Sequence, residues 1–375
     1  MLLPSLCLHG GKASASDLVY SFTGGTDGAH PLGGVVAIKR RVYGTTLGGG
    51  QYGNGAVYSL TDWGFETVVY SFAAGSDGDE PAGTLITDGS GNLYGTTIYE
   101  GDATCRCGIV FKVTTGGKET VLYRFKGGSG DGAYPFGAVV MDGAGNLYGT
   151  TSTGGDHNSG TLFRLAPDGT ETVLHSFGGT DDGSDAFAGP IIDGRGNLYG
   201  TTVYGGRFNL GTVWEYTARG KEKVLYSFGA RSDDGTEPYA SLLRDKSGNL
   251  YGTATGYSGM PNAGTVFEIT PDGTEDILYA FSGGNDGCAP AAPLIRDKNG
   301  NMFGTATGCG LYFGTVFEIE AGGGFKLIYQ LTGDDGFEPN GLYEDKSGGL
   351  WGTSYYGGRS TNCHNGCGAV FKVIQ

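Results

Sequence analysis

The sequence has no run of about 18 apolar residues, so no segment is expected to cross a membrane as a helix. It lacks sustained 3.6-residue periodicity, which sets helical fold classes aside. It lacks a basic stripe: 24 Lys and Arg stand against 39 Asp and Glu, for a net charge of -15. Nucleic-acid binding is therefore not expected. No Ser-His-Asp order, phosphate loop or dinucleotide fingerprint is identifiable. GxGxxG-like strings occur, but glycine abundance alone produces them and no helix pattern follows. The chain has only 5 His, with no ligand-like spacing, so zinc is not expected. What is abundant is glycine, 76 of 375 residues, together with 12% aromatic and 38% hydrophobic residues. That mixture describes short strands joined by tight turns. It does not describe disorder, which goes with few aromatics.

One phrase recurs. "GNLYGTT" runs from Gly91 to Thr97 and returns at Gly145–Thr151 and Gly196–Thr202, with weaker copies near residues 42, 248, 300 and 349. A second phrase, "VLYSF" and its variants, begins at residues 18, 68, 121, 173, 224, 277 and 327, a spacing of 50 to 53 residues. A fixed period of this length is the mark of a repeat architecture. Each unit carries the "VLYSF" strand, a Gly/Asp loop, an apolar strand such as "AGTLITD" (82–88), a "GSGN" turn, the "LYGTT" strand, a second loop, a strand such as "IVFKV" (109–113) and a "PDGT" turn.

Four hairpin-connected strands repeated seven times predict an all-β, seven-bladed β-propeller of antiparallel blades. A β-solenoid would need shorter, strictly stacked repeats. The small, apolar "AGTLITD" strand suits the innermost position, and "VLYSF" is then outermost. Because the chain begins with "LVYSF" and ends with "AVFKVI" (369–374), the first strand is expected to complete the last blade, closing the ring and removing open edges. The repeated phrase is expected to serve the blade. Its Gly residues (Gly44, Gly95, Gly149, Gly200, Gly252, Gly304, Gly352) are expected to mark close approach of blade against blade. Residues 17–375 form this single domain. Residues 1–16, with apolar Leu2–Leu8 and an Ala13-Ser14-Ala15 triplet, read as a leader or unstructured N-terminus.

The unit resembles the GloVer tandem repeat, over nearly the whole chain from Asp17 to Val373. The resemblance implies a secreted or cell-surface bacterial protein. Members usually carry a C-terminal anchor, which is not expected here because the sequence stops at Gln375. The resemblance implies no settled activity.

Alternate loops share one end of a propeller. The loops after "VLYSF" and after "LYGTT" form a loop face, where functional residues are expected. The turn face is expected to be inert apart from a basic spot at 38–41 ("IKRR"). The loop face carries an Asp-Gly pair in every unit: Asp27, Asp77, Asp131, Asp182, Asp234, Asp286 and Asp335. Such pairs usually make turns, with Asp bonding its own backbone and Gly taking positive φ. The doubled "DD" loops at Asp182, Asp234 and Asp335 are candidates for Ca²⁺. After each pair the units diverge. His30, Asp79, Glu80, Tyr134, Asp185, Glu237 and Glu338 are expected near the mouth of the central channel. Glu80, Glu237, Glu338 and His30 are candidate catalytic residues for glycoside chemistry, which needs paired carboxyls. Solvated rim acids are the plain alternative. The second loops add Tyr52, Arg207, Phe208, Tyr312 and Arg359, which with Tyr134 are candidate contacts to a sugar or a protein. Ordinary loop packing is the alternative there. His157 and His364 also lie on this face.

Six cysteines sit in loops of the same face. Cys288 with Cys309, and Cys363 with Cys367, are candidate disulfides, while Cys105-Arg106-Cys107 would close a very small ring. Oxidised staples fit a secreted protein. A shared metal cluster does not, because the cysteines fall on units two, six and seven. Cys7 is left over in the leader. These features predict a secreted, monomeric propeller binding a glycan or a cell-surface protein on its loop face. A glycoside hydrolase or polysaccharide lyase, with Arg207 and Arg359 facing a uronate, is the rival, and a structural surface array is the third. Beyond Ca²⁺ no cofactor is implied.

Overall fold

The computed structural model describes residues 16–178, 181–256, 263–309 and 313–374. They form seven four-stranded antiparallel blades. Blade 1 runs through Val36–Ile38, Arg41–Thr46, Ala56–Thr61 and Glu66–Ser71, from channel to rim. Blades 2 to 6 repeat this order, their outermost strands being Glu119–Arg124, Glu171–Ser176, Glu222–Ser227, Glu275–Ala280 and Phe325–Gln330. Blade 7 takes three strands from the C-terminal end, and its fourth is Ser16–Ser21. Ser16 pairs with Val373 and Ser21 with Ala369. The first strand thus completes the last blade, as the order of motifs predicts. Among the described residues the sole helical turn is Gly75–Asp77.

The repeated phrase divides its labour among three residues. The Gly of "YGT" does not mark blade-to-blade approach. It faces the aromatic ring of the neighbouring strand in its own blade. Gly95 pairs with Phe111, and a Cβ on Gly95 would stand 2.7 Å from Phe111 Cζ and 2.8 Å from Leu85 Cδ2. Gly44, against Tyr58, and Gly304, against Phe317, make the same room for a ring. The link between blades is the next residue. Thr96 Oγ1 donates to Gly137 O at 3.0 Å, Thr150 to Ala188 O at 2.7 Å, Thr201 to Ala240 O at 3.1 Å and Thr353 to Gly33 O at 2.9 Å. Each acceptor belongs to the channel-side segment of the following blade. The second Thr closes its own loop, as Thr97 Oγ1 does on Tyr99 O.

Between blades the core is aromatic. The Phe ending each "VLYSF" packs edge-on against the ring of the next blade's third strand. Phe72–Phe111, Phe125–Phe163 and Phe228–Phe267 have centroids 5.0 to 5.1 Å apart, an arrangement that adds to simple area burial. The channel-side segments pack backbone to backbone, which is why they hold Gly: a Cβ on Gly83 would stand 2.7 Å from Ala138 N. The turn face is made of Asp-closed turns, in which Asp142 Oδ1 accepts from Ala144 N and Asn146 N, both at 2.9 Å.

Candidate functional site

The Asp-Gly loops and the second loops meet on one face, as their alternation predicts. Gly132–Ala133 pairs with Thr153–Gly154, and Cys288 bridges to Thr307. The Asp of each Asp-Gly pair is engaged within its own turn. Asp131 Oδ2 accepts from Tyr123 Oη at 2.9 Å and Lys126 N at 2.8 Å. Asp27, Asp77, Asp234, Asp286 and Asp335 likewise accept a tyrosine hydroxyl from the strand before them. Asp182 accepts from Gly178 N and Gly183 N, at 2.9 and 2.7 Å. Asp233 and Asp334, the first members of two "DD" pairs, face arginines instead, Arg231 at 2.8 Å and Arg359 at 3.4 Å.

The next position in the loop is where the blades differ. His30, Glu80, Tyr134, Asp185, Glu237, Ala289 and Glu338 all have left-handed backbone, with φ between 43° and 59°. Such a conformation costs a non-glycine residue roughly 1–2 kcal/mol. Here a hydrogen bond from the preceding blade fixes it: His30 N donates to Cys367 O at 2.8 Å, Tyr134 N to Cys107 O at 2.8 Å and Glu237 N to Leu210 O at 3.0 Å. A chain with 76 glycines uses side-chain-bearing residues at all seven of these positions. Strain held in place around an opening is a feature of functional sites.

From this ring the chain descends into the central channel, a mostly apolar cavity of about 490 Å³. Its walls are small residues on one side and an aromatic arc on the other. Phe136 and Phe187 have ring centroids 4.7 Å apart, and Tyr239 follows at 5.7 Å from Phe187. Burial, a hydrogen bond with Tyr204, and the charges of Glu237 and Asp185 raise the Tyr239 phenol well above its usual value. Asp185 and Glu237, each two residues before an aromatic of the arc in the chain, thus lie within electrostatic reach of it. On the opposite side the His30 ring stacks on Tyr355 at 5.0 Å, and His30 Nδ1 lies 3.1 Å from Tyr355 O. Burial, Tyr356, Glu80 and Glu338 together raise the Tyr355 phenol, so both glutamates lie within electrostatic reach of it. Desolvation raises the carboxyls of Glu80, Asp185 and Glu338 above their ordinary values.

Other candidates lie elsewhere. Gln51, Arg207 and Arg359 each bond through their backbone N to a serine ending an outermost strand: Ser71 at 3.1 Å, Ser227 at 3.4 Å and Ser21 at 2.7 Å. Tyr52, Arg207, Phe208 and Arg359 thus belong to the outer rim of the loop face, with Arg207 over the Phe208 ring at 5.5 Å. Tyr134, by contrast, is a member of the left-handed ring and packs against Tyr99 at 5.6 Å. Tyr312 lies outside the described residues. Exposed His364 stays in its loop.

All six loop cysteines are paired: Cys105–Cys107, Cys288–Cys309 and Cys363–Cys367. Two of these pairs cover a glycine of the Asp-Gly loop. A Cβ on Gly24 would stand 2.6 Å from Cys363 Sγ, and one on Gly127 2.9 Å from Cys105 Sγ.

Phe136, Phe187, Tyr239, Tyr99, Tyr204 and Tyr355 were not among the sequence candidates. For the first three the signal was present, in the column directly after the proline position. It reads Leu32, Ala82, Phe136, Phe187, Tyr239, Ala291 and Asn340, so three aromatics fall on consecutive blades.

A sequence profile of the Gloeobacter/Verrucomicrobia repeat matches residues 8–189 and 180–371. No curated protein matches the sequence. Among solved structures, the extracellular domain of a protein named as a one-component system of B. thetaiotaomicron superposes with a TM-score of 0.56 and 11% identity, over 91% of this chain and 38% of that one. The chain thus spans well under half the length of that relative. A Thermus thermophilus protein named as an oxidoreductase (glucose dehydrogenase) superposes with a TM-score of 0.50 and 14% identity, over 96% of this chain and 100% of that one. At these identities the likeness is one of fold. Among the described residues no helix is long and apolar enough to cross a membrane.

Proposed function

The chain belongs to the Gloeobacter/Verrucomicrobia repeat family, and from that premise we propose that the loop-face mouth of its central channel binds a carbohydrate outside the cell. The observation that carries this reading is the Phe136–Phe187–Tyr239 arc lining the channel, with Asp185 and Glu237 within electrostatic reach of it. Aromatic faces stack on the apolar faces of sugar rings, and a few convergent polar groups fix hydroxyl orientation. The left-handed ring holds those polar groups on rigid backbone, so little ordering accompanies binding. Three disulfide pairs fit an oxidising, extracellular setting. Screening the full chain on a microbial and plant glycan array tests the reading. A narrow set of hits is expected, and a blank array would sink it.

A second reading is favoured by the other side of the mouth. Glu80 and Glu338, whose carboxyls burial raises, both act electrostatically on the Tyr355 phenol, on which His30 stacks. Paired carboxyls at one mouth are what glycoside cleavage needs. Release of new reducing ends from an array hit, abolished by Glu338→Gln or Glu80→Gln, would make the site an enzyme's. Binding without cleavage would leave it a receptor.

A further inference from the structure

In six of the seven outermost strands the residue that donates to the loop Asp is a tyrosine: Tyr20, Tyr70, Tyr123, Tyr226, Tyr279 and Tyr329. Blade 3 breaks the rule. Its residue is His175, whose Nε2 lies 2.9 Å from Asp182 Oδ2. Across the junction, the outermost strand of blade 4 begins at Glu222. Donor atoms of His175, Asp182 and Glu222 all lie within 4.8 Å of one another. Glu222 Oε1 is buried and has no hydrogen-bond partner among the described residues, as is also true of the equivalent Glu66, Glu119, Glu171 and Glu275, so what sets this junction apart is the imidazole beside it. Exposed His157, from the second loop of blade 3, is near but not within 4.8 Å of all three: its Nε2 and Asp182 Oδ2 each lie 3.6 Å from the point a Cβ on Gly178 would occupy.

We propose that His175, Asp182 and Glu222 form a divalent transition-metal site, best suited to Zn²⁺, with exposed His157 or water as the fourth ligand. A phenol cannot do what the imidazole does here. In the other junctions the tyrosine hydroxyl donates a proton to the Asp and offers no basic nitrogen. An imidazole between two carboxylates supplies a neutral nitrogen donor, and nitrogen with carboxylate oxygen is a common zinc set. The spacing agrees. Zinc bonds of about 2 Å place tetrahedral donors roughly 3.3 Å apart, and here His175 Nε2 and Asp182 Oδ2 are 2.9 Å apart with Glu222 within 4.8 Å of both. A bound dication would also neutralise Asp182 and Glu222, two carboxylates held close together. The site lies on the rim between blades 3 and 4, and stands independently of carbohydrate binding at the mouth.

The test is titration of the full, metal-stripped chain with Zn²⁺ by calorimetry, and with Co²⁺ by visible absorption. One equivalent should bind, with the absorption of a four-coordinate cobalt ion. His175→Tyr restores the residue that the other six blades carry, so it should fold and melt like the wild type. It should weaken Zn²⁺ binding at least on the order of a hundredfold, more than loss of an outer-shell partner typically costs. Glu222→Gln keeps the shape of the side chain and should do the same. No stoichiometric uptake by the wild-type chain would overturn the proposal. So would undiminished binding by either variant, which would put the metal on other residues.

Discussion

Thr150 Oγ1 donates to the carbonyl oxygen of Ala188 across 2.7 Å, and both residues are buried at the junction of blades 3 and 4. The bond ties a second strand to the channel-side segment of the next blade. It recurs at Thr96, Thr201, Thr253, Thr305 and Thr353. Six of the seven junctions carry it, Thr45 of blade 1 making no such bond among the described residues, and a ring tied this way holds the mouth on which the proposed site depends.

Thr150→Val removes this donor without changing the shape of the side chain much, and leaves a buried carbonyl unpartnered. Stability should fall by about 1–3 kcal/mol, read from the midpoint of urea unfolding. A midpoint unchanged in the variant would show that the junction does not rely on the bond.

Gly95→Ala places a methyl group 2.7 Å from Phe111 Cζ. Overpacking of this kind costs about 1–3 kcal/mol. Adding Phe111→Leu to Gly95→Ala should return part of that loss, because the ring is what the methyl meets. The double-mutant cycle in chemical denaturation measures the coupling. Strictly additive losses would place the constraint on the backbone instead.

The pH dependence follows from the rim glutamates. Burial, and then the nearby loop Asp, raise Glu66, Glu119, Glu171 and Glu275 to about 7 from an ordinary 4.5. A carboxyl whose value is higher when folded binds its proton more tightly in the native state. Its contribution is complete below about 4.5 and is lost as pH rises through 7. The turn aspartates Asp88, Asp142, Asp193, Asp245 and Asp345 are lowered when folded. Burial opposes this, but their hydrogen bonds together outweigh it, and their contribution is lost in acid. Thermal melts from pH 3 to 9 should therefore peak on the acid side of neutrality. Glu171→Gln should flatten the alkaline fall, and a curve rising from pH 5 to 8 would contradict the assignment.

Cys288 and Cys309 are 21 residues apart, and Cys363 and Cys367 only 4. Closing the longer loop should stabilise by about 3 kcal/mol on the chain-entropy account, and the shorter one by about 2. The pair Cys288→Ser, Cys309→Ser should thus lower the melting temperature more than Cys363→Ser, Cys367→Ser does. The reverse order would mean that packing against Gly24 outweighs loop length.

The fold was legible because a repeated phrase exposes the period, and the motif order exposes the closure by Ser16–Ser21. The role of each letter was less so. The Gly of "YGT" answers to the aromatic ring opposite it on the next strand of its own blade, a cross-strand relation that the phrase alone does not contain. The site was half legible. The variable column from His30 to Glu338 forms a ring with left-handed backbone, while the aromatic column one step past the proline passes for core until the channel is seen. Tyr52, Phe208 and Arg359 read as ligand contacts beside that column because loop membership does not reveal radius. His175 was hidden for a similar reason, since its partner Glu222 lies one whole blade further along the chain.

The most direct test of the central claim is calorimetric titration of one glycan-array hit against wild type, Phe187→Ala and Phe208→Ala. Phe187 is in the channel arc and Phe208 is on the rim. Phe187→Ala should weaken binding by about thirtyfold, the loss of a central aromatic contact, with Phe208→Ala close to wild type. Loss of binding in Phe208→Ala with Phe187→Ala unaffected would move the site off the channel and contradict the account.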